Sequence, residues 1–228
     1  MASIDELIKQ LSDRNTKTRL DAANELAKLG TEAIEPVKKL MANPDFTIRR
    51  IAAYILGKIN EPATVEILVE ALGDDNPDVR KSAAQALNRL GKVAIPLLIR
   101  ALGNISKDVR ASAVWALSKV GETAIAPLLA KMEDPEKNTR ESAIWGLSKI
   151  GMPAIKALCQ KWNVRISKEA KAGENETDSV DADELVAGGE NKIKEWVKFM
   201  IEKRTKKEEG TPAATPAADT PKSPDTPQ

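Results

Sequence analysis

One pattern recurs five times along the chain, and it constrains the fold more than any other feature. Each copy starts at an arginine, and the arginines are spaced 30, 31, 30 and 30 residues apart. The copies agree position by position, as in VRKSAAQALNRLG and VRASAVWALSKVG. Such a period is typical of a stacked repeat array, in which each unit buries its apolar face against the next. The five arginines are Arg19, Arg49, Arg80, Arg110 and Arg140.

Each copy has the periodicity of an α-helix. With the arginine as position zero, apolar residues fall at positions −1, 3, 7 and 10, a spacing that places them on one helical face. A glycine, or Asn60 in the second copy, follows at position 11, where the end of a helix favours a left-handed residue. Another apolar segment, such as AIPLLIRAL, separates successive copies. Each unit is therefore predicted to be a helical hairpin with the arginine in its second helix.

An aspartate or asparagine stands six residues before each arginine, at the predicted turn inside the hairpin. Its side chain can cap the second helix and can also reach the arginine. We interpret the two columns as a structural, hydrogen-bonded ladder between hairpins, and not as catalytic or ligand-binding groups. The turn residues are Asp13, Asn43, Asp74, Asn104 and Asp134.

These features together resemble the HEAT-like repeats first described in phycobilin lyases, with an apolar first helix, a D-P type turn and the motif VRxxAAxALGxxG. The resemblance covers Ser3 to about Arg165 and departs only at Phe46-Thr47-Ile48 and Asn138-Thr139. It implies an all-α fold, an α-solenoid of about five HEAT-like helical hairpins plus a closing helix. It also implies that the second helices line the concave surface. The motif is specific for the fold and says nothing about chemistry.

The composition changes after the repeats. We predict a solenoid over residues 1–165 and an acidic, mobile linker over residues 166–190, which hold eight acidic residues and two lysines. An amphipathic helix is predicted over residues 191–209, with Trp196 on its apolar stripe, and a disordered Thr/Pro-rich tail over residues 210–228. The helix is at least as well suited to pack on the end of the solenoid as to lie on a membrane.

The residue inventory argues against several classes of function. The chain has no histidine and a single cysteine, Cys159, which removes the commonest general base and the usual zinc ligands. Neither common glycine-rich phosphate-binding motif occurs. We therefore expect no enzymatic activity, no catalytic residues, no metal and no cofactor, and we interpret Cys159 as a small core residue. The absence of a secretion signal or a long apolar run leads us to expect a cytoplasmic protein.

Two further columns of the second helix form the predicted binding face. Position 5 lies opposite the apolar face and is aromatic in three copies, and position 9 lies on its flank and is basic in all five. Exposed aromatic residues are typical of interaction sites. Alternatively, another segment of the chain covers the aromatic residues, and the cations only complement the helix dipole. The predicted binding residues are Tyr54, Trp115, Trp145, Lys28, Lys58, Arg89, Lys119 and Lys149.

Charge suggests how the face could be closed. Residues 1–165 hold 25 lysines and arginines against 20 aspartates and glutamates, so they should attract the acidic linker. Our hypothesis is that the linker folds across the basic column while the amphipathic helix shields Trp115 and Trp145. A partner would then have to displace them.

Three functional interpretations follow. The first is an interaction scaffold that binds a protein or peptide, acidic or with an apolar anchor, in its concave groove. The second is a nucleic-acid-binding protein that uses the same aromatic and basic residues, although a net charge of +5 over residues 1–165 is modest for that role. The third, implied only by the resemblance, is a bilin lyase or chaperone-type subunit whose cationic side chains hold propionates.

Overall fold

The computed structural model describes residues 2–162, together with residues 165–166, 179–180, 191, 193–197 and 199. Eleven α-helices account for most of residues 2–162. They are α1 Ile4–Gln10, α2 Thr16–Lys28, α3 Ile34–Leu40, α4 Phe46–Ile59, α5 Val65–Glu70, α6 Pro77–Leu90, α7 Ile95–Ala101, α8 Lys107–Val120, α9 Ile125–Lys131, α10 Lys137–Ile150 and α11 Met152–Trp162. Helices α1 to α10 form five hairpins and α11 closes the array, which confirms the predicted all-α solenoid.

Short 3-10 turns adjoin the first helices of the hairpins. They span Gly30–Ala33, Pro62–Thr64, Ala71–Gly73, Gly91–Ala94 and Gly121–Ala124. The residue that follows each of α4, α6, α8 and α10 has a positive φ, from 58° at Asn60 and Gly91 to 77° at Gly121. Asn60 has the predicted left-handed helical conformation, with a ψ of 33°. Gly91, Gly121 and Gly151 share the positive φ but have ψ between −125° and −136°, a conformation that glycine adopts without strain.

The core lies between the two layers of helices. The leucine at position 7 of every second helix has no exposed surface. These residues are Leu26, Leu56, Leu87, Leu117 and Leu147. The core stripe is also wider than predicted, because position 4 is buried in every second helix and position 6 in all but α2, where it is the exposed Glu25. Each second helix therefore contacts both its own first helix and the second helices of the neighbouring hairpins.

The second helices α2, α4, α6, α8 and α10 pack in one continuous row, each against the next. Contacts between successive first helices are weaker. The second helices thus form one continuous face of the array, here called the inner face, which the resemblance predicts to be the concave one. The tightest contact joins α4 and α6 at Gly57, where a Cβ atom would collide with Ala86 and would lie 2.8 Å from Nη2 of Arg89.

In four of the five second helices, the side chain that caps the helix lies two residues later than the sequence suggested, and α10 has no side-chain cap. Asn15, Asp45, Asn76 and Ser106 accept hydrogen bonds from the first turns of their helices. The predicted caps form Asx turns instead, as where Oδ1 of Asp13 accepts from the backbone N–H of Asn15 at 2.7 Å. The predicted assignment was wrong because both positions carry side-chain oxygens, and only the backbone path decides which oxygen reaches the helix.

Beyond α11, two short strands pair in parallel, Arg165–Ile166 with Ser179–Val180. Residues 191, 193–197 and 199 are helical, and Ile193 and Val197 are buried against the core. Most of the predicted linker, the end of the amphipathic helix and the Thr/Pro-rich tail fall outside the described residues, so the four-region division stays a prediction. In the part of the chain that is described, none of the helices is long and apolar enough to cross a lipid bilayer.

Candidate functional site

The aromatic residues at position 5 are partly buried against the core. Tyr54, Trp115 and Trp145 are half-buried and pack against core residues, so they do not point directly away from it as helical geometry suggested. Position 5 lies opposite the apolar stripe of its own helix, and the large rings still reach the core because neighbouring second helices pack against its sides. One side of each ring therefore packs on the protein, and the other side faces the row of cations.

Each of these rings carries a cation from the same helix. The Nζ atoms of Lys58, Lys119 and Lys149 lie 5.7, 5.6 and 5.5 Å from the ring centroids of the aromatic residues four positions earlier. A spacing of four residues places two side chains on the same helical face. Cation–π contacts of this kind contribute about 0.5–1 kcal/mol at exposed sites. The predicted aromatic and basic columns are thus one ladder of stacked pairs.

Tyr54 also joins two repeats. The guanidinium of Arg89 on α6 lies 5.8 Å from its ring centroid, and Arg89 Nε donates to the carbonyl of Gly57 at 3.3 Å. Lys58 Nζ donates to Asn24 Oδ1 on α2 at 3.2 Å. Lys28 differs, because it pairs with Glu25 at 2.6 Å on an exposed surface. Part of the basic column therefore holds neighbouring helices together.

Trp145 is partly covered by the segment that follows the solenoid. Lys194 Nζ lies 5.1 Å from its ring centroid, and the indole Nε1 of Trp145 is buried without a hydrogen-bond partner. The same segment packs Trp196 edge-on against Trp162 of α11, with ring centroids 6.0 Å apart. An unpaired buried donor costs about 1–3 kcal/mol, so burial of the Trp145 indole N–H is unfavourable.

The closure hypothesis stays a prediction, and the described residues bear on it at its two tryptophans. Lys194 lies over Trp145, whereas Trp115 is stacked by Lys119 of its own helix. The part of the hypothesis that concerns the acidic linker falls on residues outside those described. The aromatic and basic residues stay a predicted binding face.

A groove that the sequence analysis did not find crosses α2, α4 and α6. It has a volume of about 680 Å³ and lies on the inner face of the array. Its apolar lining includes Leu20 and Phe46, which are 49% and 43% exposed, and the half-buried Ile51 and Tyr54. Exposed apolar side chains grouped in a groove are typical of an interaction site.

Two exposed cations, Arg50 and Lys81, also line this groove. They occupy position 1 of α4 and α6, the position that Leu20 holds in α2. Position 1 does not carry the same residue type in every copy, so the repeat pattern gave no sign that it contributes to a site. The available signal was its position, because helical geometry places position 1 on the side opposite the predicted core stripe.

The arginines at position zero bond within their own hairpins. In each one, Nη1 donates to the backbone carbonyls of the residues six and five positions earlier, as Arg80 does to Asp74 at 2.8 Å and Asp75 at 3.0 Å. The prediction that the arginines and the turn side chains form a ladder between hairpins was therefore wrong for these bonds. Sequence spacing cannot show whether an arginine donates to a turn side chain or to a backbone carbonyl. The same pairs of bonds form at Arg19, Arg49, Arg110 and Arg140.

Among the described residues, one of these arginines also bonds between hairpins. The guanidinium of Arg49 on α4 forms an ion pair with Asp74, which precedes α6. Burial alone would raise the pKa of Asp74, but hydrogen bonds from Arg49 and from the N–H of Asn76 hold that pKa below its ordinary value. The pKa of Asp134 is also lowered, first by the hydrogen bond from Lys131 and then by the N–H of Glu136.

Cys159 lies inside the closing helix. Its side chain is 2% exposed, and burial raises the pKa of its thiol to about 11. A thiolate is the nucleophilic form of cysteine, so this environment suits a core residue.

Helical hairpins that stack side by side, with their second helices in one continuous row, define an α-solenoid repeat protein. The family model for HEAT repeats matches residues 4–88, 65–132 and 95–164. The chain therefore belongs to the HEAT repeat family, as the resemblance implied.

Two sequence relatives are enzymes or parts of enzymes. The chain is 38% identical over 63 residues to deoxyhypusine hydroxylase from Aspergillus clavatus, covering 27% of this chain and 19% of the relative. It is 31% identical over 96 residues to phycocyanobilin lyase subunit beta from Thermosynechococcus vestitus, covering 42% and 45% of the two chains. The chain thus spans less than half the length of either curated relative.

Solved structures with similar folds have lower identity. The complex of CpcE and CpcF of phycocyanin lyase from Nostoc sp. PCC7120 is similar at 22% identity and a TM-score of 0.41, covering 71% of this chain and 70% of that chain. The MAST/Orbit N-terminal domain is similar at 17% identity and a TM-score of 0.48, covering 87% and 99%.

The relatives correct the expectation that a chain like this is not an enzyme. That expectation rested on the lack of histidine and of known motifs, yet related sequences are named as a hydroxylase and as a lyase subunit. Missing residue types exclude particular mechanisms, but they do not separate this chain from a family that has enzymes among its members.

Proposed function

We propose that this HEAT repeat protein recognises an extended segment of a partner protein along the inner row of second helices. The observation that carries the proposal is that two surfaces suited to binding, a groove and a series of aromatic–basic pairs, follow one another along that row. The groove across α2, α4 and α6 offers apolar side chains between cations, and the aromatic–basic ladder continues from Tyr54 to Trp145. Repeat solenoids commonly use extended inner surfaces of this kind for binding.

The chemistry of the row favours a segment that is acidic and has an apolar anchor. The half-buried rings provide flat apolar area that is already ordered by packing, so little conformational entropy is lost on binding. The stacked lysines would attract carboxylates and would exclude a strongly basic segment. This surface is compatible with a recognition role within a larger enzyme as well as with binding alone.

The test uses a phage-displayed library of random linear peptides, selected against the full-length chain. We expect the recovered peptides to be enriched in aspartate, glutamate and large apolar residues. Their binding should weaken when Lys119 is replaced by glutamate, because Lys119 is exposed and lies over Trp115. A matched control is Lys38→Glu on α3, which changes the same charge on the layer of first helices. Recovery of peptides that bind both variants equally well would contradict the proposal.

A second candidate is bilin handling, and it is favoured by the relationship to a phycocyanobilin lyase subunit. In this chain, Arg50 and Lys81 could pair with the propionates of a tetrapyrrole that lies in the groove. Titrating phycocyanobilin with the protein should then shift its absorption band, and the double variant Arg50→Glu/Lys81→Glu should not produce the shift. An unchanged spectrum with the unaltered protein would rule this candidate out.

A further inference from the structure

The geometry points to a defined register for the segment that binds across α2, α4 and α6: one apolar side chain, followed at intervals of three residues by two carboxylates. The inference rests on the proposed function, because it uses the same inner face. It adds the residues that set specificity, namely Leu20, Arg50 and Lys81, at position 1 of three successive second helices.

The first step concerns charge. Arg50 and Lys81 are exposed on the groove, and neither forms an ion pair with another described residue. The nearby acid, Asp78, also lines the groove, in the first turn of α6. The column ends at Ala111 in α8 and becomes acidic at Glu141 in α10. Two carboxylates therefore match this column; a third would find no cation at Ala111, and one that reached α10 would meet the like charge of Glu141.

The second step concerns spacing. Packed helices lie about 8–10 Å apart, so the same position recurs at about that interval from α2 to α4 to α6. A polyproline II segment has three residues per turn and a rise of about 3.1 Å, which places every third side chain on one side at intervals of about 9 Å. In a β-strand, side chains on one face recur about every 7 Å, which does not match the helix spacing. The register is therefore three residues.

The third step concerns the apolar end. Leu20 occupies position 1 of α2, and Phe46 at the start of α4 exposes its ring to the same groove. An apolar side chain inserted between them would remove both from water, at roughly 25 cal/mol per Å² of apolar surface buried. The segment thus has an apolar residue at α2, one carboxylate at Arg50 and a second at Lys81.

The test measures fluorescence anisotropy of labelled synthetic peptides with the full-length protein. The first peptide carries Leu-x-x-Glu-x-x-Glu in a Pro/Ser background, the second places the glutamates two residues apart, and the third replaces both with lysine. We expect the first to bind about tenfold more tightly than the second, and the third not to bind. Arg50→Glu and Lys81→Glu should each weaken the first peptide about tenfold or more, and Lys38→Glu should leave it unchanged.

A charge exchange separates direct contact from structural damage. The double variant Arg50→Glu/Lys81→Glu should no longer bind the first glutamate peptide. It should instead bind the lysine peptide, which has the same three-residue spacing. Both side chains are exposed, so the variants should unfold at the temperature of the unaltered protein. Phe46→Ser should weaken both pairings, because it removes apolar surface without changing charge.

Each contrary result has a distinct meaning. Equal affinity for the two glutamate spacings, or failure of the charge exchange, overturns the register. If an oligothymidylate binds more tightly than the first peptide, and Phe46→Ser does not weaken its binding, the site is a general polyanion site and the peptide proposal is overturned. If the random library yields peptides that depend on Lys119 but lack paired acids, this inference fails and the proposed function stands. If no library peptide depends on Lys119, the proposed function fails as well.

Discussion

The guanidinium of Arg49 forms a two-pronged ion pair with the carboxylate of Asp74, with Nε donating to Oδ2 at 2.7 Å and Nη2 donating to Oδ1 at 2.9 Å. Both side chains are largely buried, being 16% and 10% exposed. Arg49 also donates to the carbonyl of Asn43 in its own hairpin turn. One side chain therefore connects the turn before α4 to the turn before α6.

Asp74→Asn should destabilise the protein by about 1–3 kcal/mol, because it removes a partly buried charge partner of Arg49. Asparagine keeps the oxygen that accepts the N–H of Asn76 in the turn. Asp13→Asn is the control, since Asp13 makes the same turn contact on an exposed surface. Urea unfolding of both variants measures the difference. Equal effects would show that the turn, and not the ion pair, determines the loss.

The same pair predicts how stability depends on pH. The pKa of Asp74 is lowered in the folded state, so its contribution to stability is present above the unfolded-state pKa of about 4 and is lost as pH falls through the folded-state pKa. When thermal unfolding is followed between pH 6 and about pH 2, the unfolding temperature of Asp74→Asn should fall less on acidification than that of the unaltered protein. Parallel curves for the two proteins would contradict the assignment.

Gly57→Ala should destabilise the protein by about 1–3 kcal/mol in spite of alanine's better helix propensity. The new methyl group would collide with Ala86 and crowd Arg89 across the α4–α6 contact. Asn88→Ala is a matched control, because Asn88 has the same position in α6 and is exposed. Chemical denaturation of both variants tests this, and an unchanged midpoint for Gly57→Ala would show that the two helices separate without cost.

Trp196→Ala should loosen the segment at the end of the solenoid. The change removes the edge-on contact with Trp162 and about 2 kcal/mol of stability, a value reduced from that of a fully buried aromatic residue because Trp196 is half-buried. Hydrogen exchange should rise in α11 and at Trp145, which Lys194 partly covers. Phe199→Ala is the control, since Phe199 is 50% exposed on the same segment. Unchanged exchange in Trp196→Ala would contradict the packing.

Cys159 should resist alkylation in the native protein. With the pKa of its thiol near 11, about one molecule in a thousand carries the thiolate at pH 8, and burial further restricts access. Iodoacetamide should therefore react slowly in buffer and rapidly in concentrated urea. Equally fast reaction in both conditions would show that α11 opens readily.

The sequence was sufficient for the repeating unit. The spacing of Arg19 and its four equivalents, together with a helix-ending glycine such as Gly121, predicted the hairpins and their number, and the structure confirms both. Local rules suffice here because helix periodicity, helix ends and repeat length are all determined by residues close together in the chain.

Tertiary packing decided the site. The sequence could not show how closely neighbouring second helices pack, so it predicted exposed rings at Trp115 and Trp145, which are half-buried against the core. It also could not bring together Leu20, Arg50 and Lys81, which differ in type and belong to three helices. A repeat pattern identifies what is the same in every unit, whereas a binding groove depends on how unlike side chains from neighbouring units meet after the helices have stacked.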